Sequence, residues 1–421
     1  MADYNFLLET RLTQDQQLAL QALQRVCRAA GLNLYLTGGP MRDLLAGRPV
    51  RFLHCTTEGD PAVLAGALKA EGAERLSAQP EHHSLNFSLR GCRMRVTAAR
   101  GSSGPGTIIE DLRRRGLTLN SIGLSLNPGS RGLPLDPTNG VADIEARLIR
   151  MNHAYVFLED PIMLLRAVRL GTRMEYALEE RTQARMQIAR EEDYLARASA
   201  AARGEELEAI AYEPDPAAVL RALDKDAWLE AAFGKGVRAA KMDLGGLSQL
   251  TATLESWEQL GLTADSGWVA MPMLLGGLAS ADQARLAPLL PSRHLGSEWK
   301  KVKAEAAGLE KKMAAAPGAA GWLRKAEEAI QKTMPEAVVY ASLDPANAKA
   351  GKKLKEFQAA ALQLRQRLPL GILRAHGMAP RSLEAEAILR PWYRRLLSGE
   401  ALTDSELTEG LRAAVQAVRP A

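Results

Sequence analysis

Two glycines followed by an arginine and an aspartate, Gly38-Gly39-Pro40-Met41-Arg42-Asp43, stand where an apolar run containing Leu34 and Leu36 gives way to a helical pattern. Residues without a Cβ let backbone approach a ligand closely, Pro40 suits a helix opening, and N–H groups at such a turn suit a triphosphate. Arg42 in the first helical turn can add a charge-assisted contact to phosphate, with Asp43 holding Arg42 or the loop. The helix ends near Gly47, and Pro49 to Cys55 reads as a second strand. Side chains alternate along a strand, so positions 52 and 54 share a face and aim at one point, as a pair of metal-holding carboxylates would. Phe52 offers no ligand atom there, and His54, neutral at physiological pH, prefers softer metals than Mg²⁺. The block has a nucleotide-binding frame and lacks the hard oxygen ligands that metal-assisted phosphoryl transfer requires.

Positive charge gathers just downstream. Between Leu89 and Arg115 there are seven arginines (90, 93, 95, 100, 113, 114, 115) against Glu110 and Asp111, a local excess of five that favours an anionic partner. The elements that must position these residues fall into two textures. Residues 1 to about 150 alternate short β-like runs (Leu34 to Thr37, Val50 to Cys55, Leu85 to Arg90, Met94 to Thr97, Ser121 to Leu126) with helices, which predicts a small mixed sheet with helices beside it. From Ala154 onward, three- and four-residue apolar spacing predicts helices, as in Ile162 to Met174, Ala217 to Phe233 and Phe357 to Leu368. Pro214-Asp215-Pro216 and Pro335 mark breaks, and Ala314 to Gly321 reads as a flexible join. We therefore expect an α+β head over 1–150, a helical neck over 151–225 and a helical body and tail over 226–421. The five lysines of 300–312 read as a solvated helix face.

Composition excludes several classes. A net charge of +5 and a pI near 9.1 describe a mildly basic protein, suited to an RNA partner gripped by a local groove with salt-sensitive affinity. Cys27, Cys55 and Cys92 lie far apart and form no metal or redox spacing, which points to a reducing cytoplasm, and six histidines including His82-His83 make no zinc pattern. The start Met-Ala-Asp-Tyr-Asn carries no signal segment, and the apolar stretch Gly267 to Ala279, interrupted by Pro272, is too short to span a bilayer, so no membrane partner is expected.

Four blocks, taken in order, resemble the tRNA nucleotidyltransferase and poly(A) polymerase family, whose bacterial class II members are CCA-adding enzymes. They are the glycine turn and its helix; Glu110 to Ser121 (Glu-Asp-Leu-Arg-Arg-Arg-Gly-Leu-Thr-Leu-Asn-Ser); Asp136-Pro137-Thr138-Asn139-Gly140 with Asp143; and Glu159 to Leu170 (Glu-Asp-Pro-Ile-Met-Leu-Leu-Arg-Ala-Val-Arg-Leu). The closing helices over Leu368 to Leu407, with Gly377-Met378-Ala379-Pro380 and Leu397-Ser398-Gly399, are also similar. The resemblance implies a polymerase-β-like nucleotidyltransferase head followed by all-α neck, body and tail. It implies nucleotide binding by Gly38, Gly39, Arg42, Asp43, Arg113, Asn120, Asp160, Arg166 and Arg169, with ATP or CTP as possible ligands.

The departures from that pattern bear on function. The family's Asp-x-Asp strand has Phe52 and His54 here, and its third carboxylate aligns with Arg95, a fixed positive charge that repels metal ions and invites phosphate. Met163 replaces an arginine that reads the incoming base together with the residue at Asp160, and Gly116 replaces the aspartate of Arg-Arg-Asp-Phe. The chain therefore reads as a pseudo-enzyme that binds tRNA or other structured, tRNA-like RNA through Arg95, Arg100, Arg113, Arg114 and Arg115, with no resident metal. The alternative is an active RNA 3′-end nucleotidyltransferase, adding C or A with Mg²⁺ held by a rearranged set such as Glu58, Asp60 and Asp111. However, Glu58-Gly59-Asp60-Pro61 matches a turn that follows the family's metal strand. A helical scaffold for a protein partner is the second alternative.

Overall fold

The structure, a computed structural model, describes residues 4–79, 83–102, 104–290, 293–313, 317–319, 321–378 and 383–418. His82, part of the Ala314 to Gly321 join, and Ala379-Pro380 of the tail motif lie outside the described residues. The chain divides into two compact units, Met1–Ala198 and Ser199–Ala421. The boundaries expected at 150 and 225 do not coincide with this one: residues 151–198 pack as part of the first unit and residues 199–225 as part of the second.

The first unit is built on a seven-stranded mixed sheet. Its strands are β1 (Asn33–Thr37), β2 (Leu53–Glu58), β3 (Glu74–Gln79), β4 (Ser84–Leu89), β5 (Cys92–Ala98), β6 (Gly123–Ser125) and β7 (Pro134–Leu135), in the order β3-β4-β5-β2-β1-β6-β7. Only β2 and β5 run parallel; the other pairs are antiparallel. The pleat sorts side chains by polarity. Leu34, Leu36, Leu53, Cys55, Leu85, Phe87, Met94 and Val96 are buried on one side. There they meet the helix Gln14–Ala29, which buries Leu20, Leu23, Val26 and Cys27 and is opened by a reciprocal Thr13/Gln16 capping box. His54, Thr56, Asn86, Arg93, Arg95 and Thr97 occupy the other side, paired in register His54↔Arg95, Thr56↔Thr97, Asn86↔Arg95 and Ser88↔Arg93. The helix Ile108–Arg114 covers the β1 end of that polar side through Tyr35, Ile108 and Leu112, while Arg93 and Arg95 stay exposed.

Two strand expectations need correction. The second strand starts at Leu53, not Pro49, because the approach to it is tied to other elements: Gln16 Nε2 donates to Val50 O at 2.7 Å, and Arg48 N donates to Asp43 O at 2.8 Å. Phe52 therefore precedes the strand. The edge strand β3 was not expected, since Glu-Arg-Leu-Ser-Ala-Gln carries no apolar alternation and lies mostly exposed. The two-residue β7, and the parallel pair β8 (Leu148–Ile149) and β9 (Ala177–Leu178), are too short to leave a periodic signal.

Asp43 ties the helix Gly39–Leu45 to the helix Met163–Met174. Its Oδ1 accepts from Arg42 at 2.9 Å and its Oδ2 from Arg173 at 2.6 Å, with all three side chains less than a tenth exposed. Arg173 gave no signal in the sequence, because its partner is 130 residues away.

The second unit is built from helices, as the all-α expectation requires. Trp257 stacks on Phe357 (6.3 Å between centroids) and Trp322 meets Phe357 edge-on (6.5 Å), while Trp257 Nε1 donates to Ser342 Oγ at 3.2 Å. In the helix Ser266–Leu275, Val269 to Leu275 are all buried. Lys300, Lys301, Lys303, Lys311 and Lys312 are exposed along the helix Arg293–Lys312, the solvated face expected of them. Among the described residues no helix is long and apolar enough to cross a membrane.

Replacing Asp43 strands two buried guanidinium groups. Asp43→Ala should cost about 3–5 kcal/mol of first-unit stability, measured by denaturant unfolding with a probe in residues 1–198.

Candidate functional site

The glycine turn forms as expected and carries a constraint of its own. Gly38 has φ +70° and ψ −128°, and a Cβ there would stand 2.9 Å from Arg115 Nη1 and 3.6 Å from His54 Nδ1. A Cβ on Gly39 would stand 3.5 Å from Arg42 Nη2 and 3.8 Å from Phe52 Cζ. Phe52 and His54 therefore both reach the turn, although Phe52 lies outside the strand. Phe52 keeps 42% of its surface exposed.

Arg42 is buried, with Nε and Nη2 on Asp43 and Nη1 on Asn120 Oδ1 at 2.8 Å. Of the expected nucleotide-binding set, Gly38, Gly39, Arg42, Asp43 and Asn120 thus come together around one turn. Arg115 braces the same turn from beneath. Its Nε donates to Asp111 Oδ2 (3.0 Å), its Nη1 to Asn120 O (3.1 Å), and its Nη2 to Thr37 Oγ1 (3.1 Å), Thr56 Oγ1 (3.0 Å) and Asp111 Oδ2 (2.7 Å). This corrects the reading of Arg115 as an RNA contact: it faces inward, whereas Arg100, Arg113 and Arg114 are exposed. The i,i+4 spacing of Asp111 and Arg115 carried that information, and neither Thr37 nor Thr56 was singled out by sequence.

His54 sits in the field of these cations. Its Nε2 lies 3.1 Å from Thr97 Oγ1; burial, then the charges of Arg115, Arg95 and Arg100, hold the imidazole well below its ordinary value of 6.5. Beside it in register is Arg95, whose Nε donates to Asn86 Oδ1 at 2.6 Å.

The donor set does not fit Mg²⁺. Among the described residues no three His, Cys, Asp or Glu side chains converge. The three carboxylates that could replace the missing ones are engaged elsewhere. Glu58 accepts from Asn33, Tyr35 and the backbone of Ile108; Asp60 accepts from Ala62 N; Asp111 accepts from Arg115 and Arg100 N. A neutral imidazole beside two exposed arginines suits an anion better than a hard cation.

The two remaining departures from the family pattern touch one another. A Cβ on Gly116 would lie 2.5 Å from Met163 Cε and 3.0 Å from its Sδ, and Met163 is buried. Met163 thus fills the space that any side chain at 116 would need. Arg166 Nη1 lies 3.3 Å from Met163 Sδ; Arg166 and Arg169 are half-buried, and Asp160 is exposed at the end of the short helix Val156–Glu159.

Two expected outcomes follow from this geometry. The unfolded chain protonates His54 as pH falls through about 6.5 while the folded chain resists, so stability is lost on acidification below that point. Denaturant unfolding from neutral to mildly acid pH should show a smaller loss in His54→Gln. Gly116→Ala should cost about 1–3 kcal/mol through overpacking, and combining it with Met163→Ala should give a stability above the sum of the single effects in a double-mutant cycle.

Residues 34–150 match the poly A polymerase head domain. An A-adding tRNA nucleotidyltransferase of Halalkalibacterium halodurans is 31% identical over 228 residues, which cover 50% of this chain and 52% of the relative. An A-adding tRNA nucleotidyltransferase of Aquifex aeolicus is 28% identical over 162 residues, covering 36% of this chain and 20% of the relative. The chain thus spans about half, or less, of the length of these curated relatives. Among solved structures, that of a tRNA nucleotidyltransferase complexed with a primer tRNA and an incoming ATP analogue superposes with a TM-score of 0.52 at 22% identity, covering 81% of this chain and 99% of that one, and so shares the fold. With their glycine turn, Arg115-braced loop and mixed sheet, residues 34–150 are thus a poly A polymerase head domain, and the chain is similar to tRNA nucleotidyltransferases.

Proposed function

We propose that this chain binds the 3′ end of tRNA or a tRNA-like RNA on its nucleotidyltransferase head without metal-dependent nucleotide addition. The observation that carries the reading is Arg95, exposed and hydrogen-bonded to Asn86, in register with a neutral His54 where the family places carboxylates. The relatives act on tRNA by name, and the solved relative holds a primer tRNA, which supports tRNA as the class of partner. Exposed Arg100, Arg113 and Arg114 supply further positive charge on the same unit. The three free cysteines, two of them buried, suit a reducing compartment such as the cytoplasm.

A second reading, addition of A or C to RNA 3′ ends, is favoured by the comparisons: both curated relatives named above are adding enzymes, and nothing in the comparisons speaks for inactivity. It requires Glu58, Asp60 or Asp111 to leave present partners and gather around Mg²⁺, with ATP or CTP on the glycine turn.

Incorporation of labelled CTP and ATP into tRNA lacking its 3′ end, with Mg²⁺ or Mn²⁺, beside a gel shift on the same RNA, separates the two. The first reading expects a shift without incorporation; incorporation selects the second, and neither signal turns attention to a protein partner. Phe52→Asp, His54→Asp and Arg95→Asp combined should create Mg²⁺ affinity, read by calorimetry, and Mg²⁺ binding by the unaltered chain would count against the first reading. Arg113→Ala with Arg114→Ala should weaken RNA binding and lower its salt slope by about one per lost phosphate contact.

A further inference from the structure

The open part of the polar sheet face, on β4, β5 and β2, has a composition that the loss of metal ligands alone does not explain. Arg93 and Arg95 lie two residues apart on β5, so both project from this face, and both are exposed. Their neighbours across the ladder are Ser88, Asn86 and His54, neutral groups able to donate or accept hydrogen bonds. Glu58, the carboxylate within these three strands, is hydrogen-bonded to Asn33, Tyr35 and the backbone of Ile108. At the edge of the face stands Phe52, its ring tip against the glycine turn and 42% of its surface open. An exposed aromatic ring beside arginines on a sheet surface is the combination that stacks an unpaired base and holds its phosphate.

We infer that this face is a metal-independent site for an RNA terminus bearing a 3′-phosphate, with Arg93 and Arg95 on the phosphate and Phe52 under the terminal base. A terminal phosphomonoester carries close to two negative charges, against one for an internal diester, and so gains more from two neighbouring guanidinium groups. His54 stays neutral among the arginines, so its imidazole offers the phosphate a hydrogen bond without adding charge. The inference rests on the reading that the head receives an RNA 3′ end, and it names the terminus selected.

The test compares one single-stranded RNA ending in a 3′-hydroxyl with the same RNA ending in a 3′-phosphate, binding to the full chain in EDTA. The phosphate form should bind about tenfold more tightly, the worth of one added charge-assisted contact. In Arg95→Gln the ratio of the two affinities should fall toward one, and Phe52→Ala should weaken the phosphate form. Equal affinities in the unaltered chain, or a preference that survives Arg95→Gln, would overturn the inference. If neither RNA binds, the RNA-binding reading itself fails, and adenosine 3′-monophosphate then decides the site alone. Binding of that nucleotide that is lost in Arg95→Gln upholds the phosphate site, and no binding to the unaltered chain removes it.

Discussion

The guanidinium of Arg115 is the interaction on which the head depends. Five donor contacts from one side chain join β1 through Thr37, β2 through Thr56, the helix Ile108–Arg114 through Asp111, and the turn Thr118–Asn120 through a backbone carbonyl. A planar fork of fixed geometry can do this where a flexible ammonium cannot. The cost is paid at Gly38, which must be glycine both for its positive φ and because Arg115 Nη1 lies where a Cβ would project. The ligand-facing turn and the internal brace are therefore one construction: the backbone that could approach a phosphate is held in place by the charge beneath it.

That arrangement also explains why the head keeps its shape without the family's carboxylates. Arg115 is paired with Asp111, and Arg42 and Arg173 with Asp43, so these charges are held by side chains of the unit itself. Burial first, and then the charges of Arg115, Arg95 and Arg100, push His54 away from protonation rather than toward it.

Much of the frame was legible in the sequence because glycine and proline carry local instructions: Gly38-Gly39 and Pro40 fix a turn and a helix start whatever surrounds them. The strands that alternate buried and exposed residues, β4 and β5 among them, are legible in the same local way, while β3, mostly exposed and without apolar alternation, is not. Within the site, Phe52, His54 and Arg95 were identified by position, yet the inward course of Arg115 was hidden in a run of three identical residues whose helical phase decides which one turns in. The contact of Gly116 with Met163 joins two positions that each drew attention separately, across 47 residues of chain; nothing local could reveal that one fills the space left by the other.

The bond between Arg173 and Asp43 has a consequence for how this protein can be taken apart. The texture of the sequence changes near residue 150, and a fragment cut there would keep β8 without β9, and Asp43 without the more distant of its two arginines. Its last strand would present an open edge, and a buried carboxylate would be left half neutralised. The smallest portable piece of the head therefore extends past Leu178, and any natural or designed recombination that swaps the helical remainder must make its junction beyond that point to inherit a self-sufficient module.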